Sequence, residues 1–75
     1  GAGSEPPHEL LSPREFEVFV LLASAQSVSD VAVRLDLSVK TVSTYRTRIL
    51  EKMGMSSNAE LMRYAMQHGL ASGPV

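Results

Sequence analysis

Apolar residues recur three or four positions apart in four segments of the chain, and short polar turns separate these segments. This spacing places the apolar side chains of each segment on one face of an α-helix. No segment shows the alternation of apolar and polar residues that is typical of a β-strand. The pattern therefore predicts an all-α fold, a compact four-helix domain with helices over about 13–25, 28–35, 39–53 and 58–68.

Residues that favour helix ends stand at the predicted boundaries. Each predicted helix follows a serine that can act as its N-cap, and these are Ser12, Ser27, Ser38 and Ser57. Glu15 and Glu60 stand three residues after their serines, as in a capping box. Gly54 is expected to end the third helix and Gly69 the fourth, because glycine favours the left-handed C-terminal cap.

The length of the chain limits it to one small domain. A chain of 75 residues buries too little surface to support two cores. We assign residues 10–70 to the folded domain and 71–75 to a C-terminal tail. Residues 1–9, which contain a Pro-Pro pair, are interpreted as a tag or linker remnant and are expected to be disordered.

The composition excludes several classes of protein. The chain has no cysteine, so it has neither disulfides nor thiolate metal sites. His8 and His68 are far apart in the sequence, and no phosphate loop or catalytic carboxylate pair is recognisable. We therefore expect no metal, no cofactor and no enzymatic activity. The longest apolar run, residues 18–23, is too short to cross a bilayer, which favours a soluble cytoplasmic protein.

The net charge of −1 hides a strong segregation of charge along the chain. Residues 1–30 contain one basic and five acidic residues, whereas residues 31–55 contain five basic and two acidic residues. A polyanion responds to the local field and not to the average charge of the protein. The basic segment therefore indicates a nucleic-acid partner.

The second and third predicted helices have the layout of a helix-turn-helix motif, a short helix and a longer one joined by a brief turn. On the third helix Val42, Ile49 and Met53 share one face, and the opposite face is polar. Short hydroxyl groups in the middle of that face could reach base edges in the DNA major groove, while flanking cations neutralise phosphates. The base-edge candidates are Ser43, Thr44 and Thr47, and the phosphate candidates are Lys40, Arg46, Arg48 and Lys52. Lys40 could equally reach a guanine edge.

Other interpretations of this helix stay open. Basic residues on a helix often form nothing more than a solvated surface. However, the five hydroxyl residues among positions 38–50 lower helix propensity without a packing benefit, which argues for a binding role. A helical protein-interaction module that keeps the fold without binding DNA would expose larger apolar anchors here. The promoter-reading region of a sigma-type factor uses the same motif.

Three stretches of the chain follow one another in a recognisable order: LSPREFEVFVLLA, VSDVAVRLDLSVKTVSTYRTRILEKMGM and NAELMRYAMQHGL. Together they resemble the LuxR-type helix-turn-helix domain found as the output domain of NarL/FixJ-type response regulators. The resemblance implies a transcription regulator that binds double-stranded DNA sequence-specifically, with the third helix as the recognition helix. The residues implied to read bases are Lys40, Ser43, Thr44 and Thr47. Those implied to contact phosphates are Thr41, Arg46, Arg48 and Lys52.

The resemblance also implies protein partners. Such domains bind as dimers through the last helix, whose apolar groups cover two sides; the expected contacts are Met62, Tyr64 and Met66. A receiver domain and RNA polymerase are further expected partners. Phe16 and Val20 lie one turn apart and are expected to add core contacts, the alternative being a docking patch for those partners. The chain departs from the family in two places: it has Ala25-Gln26 where a glycine is common after the first helix, and Val28 where a polar residue is common.

Overall fold

The computed structural model describes residues 7–70, and this part of the chain is helical without any β-strand. A 3-10 turn, Pro7–Leu10, precedes four α-helices: α1 (Pro13–Ala23), α2 (Val28–Leu35), α3 (Val39–Met53) and α4 (Asn58–Gln67). The predicted all-α four-helix class is confirmed, and α2 and α3 have the predicted bounds. The expected tail and the first six residues of the expected linker lie outside the described residues. Within residues 7–70 no helix combines the length and apolarity needed to cross a membrane.

A serine hydroxyl caps the N-terminus of each α-helix. The side chains of the four predicted serines each accept a hydrogen bond from the backbone N–H three residues further on. The reciprocal carboxylate contact is complete in α1 and α2. In α4 the predicted capping box between Glu60 and Ser57 is replaced by a different contact. The Glu60 carboxylate accepts hydrogen bonds from the N–H and hydroxyl of Ser56, one residue before the capping Ser57. Its carboxylate therefore closes the loop that precedes α4.

The four helices end in the same type of chain reversal. A residue with positive φ follows each helix, and the N–H of the next residue donates to the carbonyl five positions back. The residues with positive φ are Ala25, Asp36, Gly54 and Gly69. Glycine adopts this conformation without strain and aspartate tolerates it, but alanine does so at a cost of about 1–2 kcal/mol.

Helix α1 is shorter than predicted because of this reversal. It ends at Ala23 instead of position 25, since Ala25 has a φ of 69° and turns the chain back. The Ser24 hydroxyl donates to the Val20 carbonyl at 2.8 Å and satisfies one of the last acceptors of the helix. Helix α4 likewise ends at Gln67, one residue early, because His68 is its C-cap.

The core forms where α1 packs against α2, α3 and α4. All four helices contribute side chains that are fully buried, and the largest are Val18, Phe19, Leu22, Val31, Val42, Ile49 and Leu61. Phe16 and Val20 are half-buried and pack against this core, as the favoured interpretation expected. Val28 does so as well, so the apolar residue that departs from the family has a packing role.

The 3-10 turn at residues 7–10, whose first three residues were assigned to the linker, packs against α3. His8 Nδ1 lies 2.7 Å from the Tyr64 hydroxyl, within hydrogen-bonding distance. The His8 ring also lies 5.8 Å from the His68 ring, centroid to centroid, and His68 stacks on Tyr64 at 4.1 Å. The two histidines that are distant in sequence are therefore neighbours in space. Even so, no group of three or more potential metal-ligating side chains occurs in residues 7–70.

Candidate nucleic-acid interface

Helix α3 has a buried face and an exposed face, as its sequence pattern predicts. Val42, Ile49 and Met53 are buried in the core. The opposite side carries a row of exposed residues spaced by three or four positions, which we call the outer stripe: Lys40, Thr44, Thr47 and Glu51. Ser43, Thr41 and Arg48 are also exposed and flank this row. The residues predicted to read bases therefore share one accessible surface.

The hydroxyl groups on this surface are held in different ways. Thr44 donates to the Lys40 carbonyl and Thr47 to the Ser43 carbonyl, each over 3.1 Å. The Thr41 hydroxyl instead accepts a hydrogen bond from the Ser38 hydroxyl at 2.9 Å. Thr41 therefore keeps its own hydrogen for an external acceptor, such as a phosphate oxygen.

The beginning of α3 is the most favourable place for an anion. Helices α1, α2 and α4 each carry an acidic residue in their first turn, whereas α3 has none. The positive end of its dipole is therefore not compensated by a side chain of its own first turn. Arg48 lies two turns further on, and with Thr41, Thr44 and Tyr45 it lines a shallow depression on the helix surface.

Arg46 is tied to α4. Its Nε–H donates to Asn58 Oδ1 at 2.7 Å, and the residue is half-buried. An arginine has five N–H donors, so the terminal nitrogens are still available to another partner. This contact was missed from the sequence because Asn58 was recognised only as the start of a helix. It holds one edge of the guanidinium group in place beside α3.

Lys52 is committed to the fold more strongly than the sequence predicted. Its ammonium group donates to Glu15 Oε1 at 2.7 Å and to the Leu10 carbonyl at 3.4 Å. Glu15 is only 4% exposed and also accepts the Ser12 N–H at 2.8 Å. The hydrogen bond from Lys52, followed by that from Ser12, holds the pKa of Glu15 below its ordinary value despite burial, which acts in the opposite direction.

The predicted dimer contacts on α4 do not share one surface. Tyr64 is buried, and its ring packs edge-on against Phe19 with a centroid distance of 6.2 Å. It is therefore a core residue, and the rings of His8 and His68 lie against it. Met66 is 70% exposed and Met62 is half-buried, so these two remain on the accessible side of α4.

Most of the chain matches one known protein family. Residues 9–65 match the family described as bacterial regulatory proteins, luxR family. The chain belongs to this family. The match spans α1, α2 and α3 and most of α4, so the resemblance seen in the sequence is confirmed. As a LuxR-family domain, the chain is the DNA-binding part of a transcription regulator and not an enzyme.

Curated relatives of this LuxR-family domain are response regulators. It is 44% identical over 64 residues to response regulator GacA of Pseudomonas viridiflava, which covers 85% of this chain and 30% of the relative. It is 39% identical over 66 residues to GacA of Pseudomonas aeruginosa, covering 88% of this chain and 31% of the relative. With response regulator UvrY of Escherichia coli K12 the identity is 35% over 69 residues, covering 92% and 32%. The chain thus spans about a third of the length of these relatives.

Proposed function

We propose that this LuxR-family domain reads a specific DNA sequence by inserting α3 into the major groove, as the output domain of a response regulator. The observation that carries the proposal is the exposed surface of α3 over residues 39–50, which contains no acidic residue. Short hydroxyl side chains occupy its centre, so the helix backbone can approach base edges closely. Cations at its margins are placed to neutralise phosphates on both sides of the groove.

The base-reading residues in this proposal are exposed side chains in the first three turns of α3. Recognition helices contact base edges mainly with their N-terminal residues. Lys40, Ser43 and Thr44 lie in the N-terminal half of α3 and Thr47 lies just past its middle, and all four are exposed. Lys40 is the longest of the four, and its ammonium group suits the acceptor edge of guanine.

The phosphate contacts are proposed to differ in strength. Arg48 and Thr41 flank the outer stripe and are exposed, so they supply the main contacts. Arg46 contributes through its terminal nitrogens while Asn58 holds its Nε. Lys52 contributes least, because Glu15 and Leu10 already occupy two of its three donors.

Selection of bound duplexes from a random pool tests the proposal directly. We expect a defined half-site, and we expect the affinity for it to fall steeply as salt concentration rises. Arg48→Ala should weaken binding to all duplexes and reduce the slope of log affinity against log salt by about 1. Thr47→Ala should instead change the preference among sites.

Arg14→Ala is the matched control for charge. Arg14 lies on α1, is exposed, and pairs with Glu17 at 3.3 Å, so this variant removes the same charge away from α3. It should leave the salt slope unchanged. An equal loss of affinity for Arg14→Ala and Arg48→Ala would mean that only net charge matters. Uniform loss on every sequence for Thr47→Ala would remove Thr47 from the base-reading set.

The domain is also proposed to dimerise through α4 when it occupies two half-sites. Met66 and Met62 form the apolar part of the accessible side, a small area that supports only a weak dimer in the absence of DNA. Met66→Glu should abolish cooperative occupancy of a duplex with two half-sites, measured by sedimentation and mobility shift. Val33→Glu makes the same change at a residue of α2 that is 83% exposed, and it should bind like the unmodified chain. Strictly independent occupancy by the unmodified chain would refute the dimer.

The partners of the whole protein are proposed from the names of its relatives. Those proteins are response regulators about three times as long as this chain, which supports a receiver domain as the controlling partner. RNA polymerase is the expected target of such a regulator. A phosphorylation-dependent change in DNA affinity of the full-length protein would test the first assignment, and promoter-dependent transcription with purified polymerase would test the second.

A further inference from the structure

The hydroxyl groups of Thr44 and Thr47 are oriented by the helix that carries them. Each donates its hydrogen to the carbonyl four residues back, at 3.1 Å in both cases. A hydroxyl has one hydrogen and two lone pairs, so this bond leaves the oxygen with acceptor capacity alone. Both side chains are exposed on the outer stripe. Each threonine therefore offers a partner two groups, an acceptor oxygen and a methyl group.

Base pairs differ in what they present to such a side chain in the major groove. The threonine oxygen can accept a hydrogen bond from adenine N6 or cytosine N4, whereas guanine presents only the acceptors N7 and O6. Thymine alone adds a methyl group. An A·T pair offers threonine both a hydrogen-bond donor for its oxygen and a methyl group for its methyl to pack against. A C·G pair offers only the donor. Contact with guanine requires the hydroxyl to give up its bond to the helix.

We propose that Thr44 and Thr47 select A·T base pairs, each accepting from the adenine amino group and packing its methyl against the thymine methyl. This inference rests on the proposed function and names the base pairs that α3 recognises. The other proposed base-reading residues are not limited to accepting hydrogen bonds. Lys40 is a pure donor that suits guanine, and the exposed Ser43 hydroxyl can donate or accept.

The test uses the 75-residue chain and the half-site obtained by selection. Each thymine of that half-site is replaced by uracil, which removes only the methyl group, and each adenine by a purine that lacks the N6 amino group. At the pairs read by these threonines we expect either replacement to weaken binding by roughly three- to tenfold, as for the loss of one methyl contact or one hydrogen bond.

Matched variants assign each effect to one group. Thr47→Ser keeps the hydroxyl but lacks the methyl, so it should no longer respond to uracil at its base pair. Thr47→Val keeps the methyl but lacks the acceptor, so it should no longer respond to loss of the amino group. The same two variants are made at Thr44. Thr41→Val is the control on the flank of the helix: it should bind less tightly overall and keep the full response to both base changes.

Two results would overturn the inference and leave sequence-specific binding intact. One is a half-site in which replacing Thr44 or Thr47 alters the response to base replacement at no A·T pair. The other is a uracil penalty that is equal in the unmodified chain and in both serine variants. A pool in which no duplex is enriched overturns the proposed function and this inference together. Circular dichroism of each variant verifies that a loss of binding does not reflect a loss of helix.

Discussion

The ion pair between Lys52 and Glu15 provides the sharpest test of how this domain divides its charges between folding and binding. Lys52 lies near the end of α3 and Glu15 in the first turn of α1, so the pair joins these two helices. Replacing Lys52 with methionine keeps the length and apolar stem of the side chain and removes the charge. The buried Glu15 carboxylate then loses its cationic partner.

The cost follows from the exposure of the two groups. Exposed ion pairs contribute about 0.2–1 kcal/mol, whereas removing one member of a buried pair costs about 3–5 kcal/mol. The Glu15 side chain is 5% exposed and that of Lys52 is 41% exposed, so solvent screens one side of the pair. We expect Lys52→Met to lower the free energy of unfolding by about 1.5 kcal/mol, which corresponds to roughly 6–12 °C in Tm for a domain of this size.

Urea and thermal unfolding followed by circular dichroism at pH 7 measure this change. A double-mutant cycle with Glu15→Gln isolates the interaction, because the double variant should lose less stability than the two single variants combined. In DNA binding, Lys52→Met should retain nearly the full salt slope. A stability change within the usual range for surface residues, about 0.5 kcal/mol, together with a reduced salt slope would show that Lys52 is a phosphate contact and not a structural one.

Three further predictions concern stability and charge. Ala25→Gly should raise the free energy of unfolding by about 0.5 kcal/mol in urea, since relief of the left-handed strain exceeds the added chain entropy. Ala23→Gly, at the last residue of α1 where the methyl group is buried, should lower it by about 1 kcal/mol. Because folding lowers the pKa of Glu15, its ionised carboxylate stabilises the folded state above about pH 5, and this stabilisation is lost as the pH falls below the ordinary pKa of a glutamate. The free energy of unfolding should therefore depend less steeply on pH between about pH 5 and pH 3 in Glu15→Gln than in the unmodified chain. Glu51→Gln should strengthen binding to all duplexes, measured by fluorescence anisotropy, because it removes the negative charge of the outer stripe. Unchanged affinity would show that Glu51 lies too far from the DNA phosphates to repel them.

The helix boundaries were predictable wherever a residue type signals its own backbone conformation. The capping serines and Gly54 act through local hydrogen bonds and local φ angles, so α2 and α3 were predicted with their observed bounds. Ala25 itself carries no such signal, because alanine is the strongest helix former. The glycine that the family commonly has after the first helix was the one indication of a left-handed residue there. The observed end of α1 coincides with this reversal, in which the Gln26 N–H donates to the Leu21 carbonyl.

The site was predictable as a surface and not as a set of contacts. Helical periodicity was sufficient to separate the buried Val42 and Ile49 from the exposed threonines. Lys52 donates a hydrogen bond to Glu15, 37 positions away in the sequence, and the Tyr64 hydroxyl lies within hydrogen-bonding distance of His8, 56 positions away. Such pairings follow from the arrangement of the helices, so the sequence of single segments did not reveal that Glu15 engages Lys52 or that Tyr64 is buried.

Under the proposed function, the outer stripe of α3 makes the domain readily adaptable to new operators. The hydroxyls of Thr44 and Thr47 donate to carbonyls of their own helix, whereas the caps and the core residues that determine the fold lie elsewhere on the chain. We therefore expect substitutions at Lys40, Thr44 and Thr47 to change the recognised base pairs with stability effects of only about 0.5 kcal/mol. Duplicated copies of such a gene are then free to diverge at these three positions, each acquiring a different regulatory target on an unchanged scaffold.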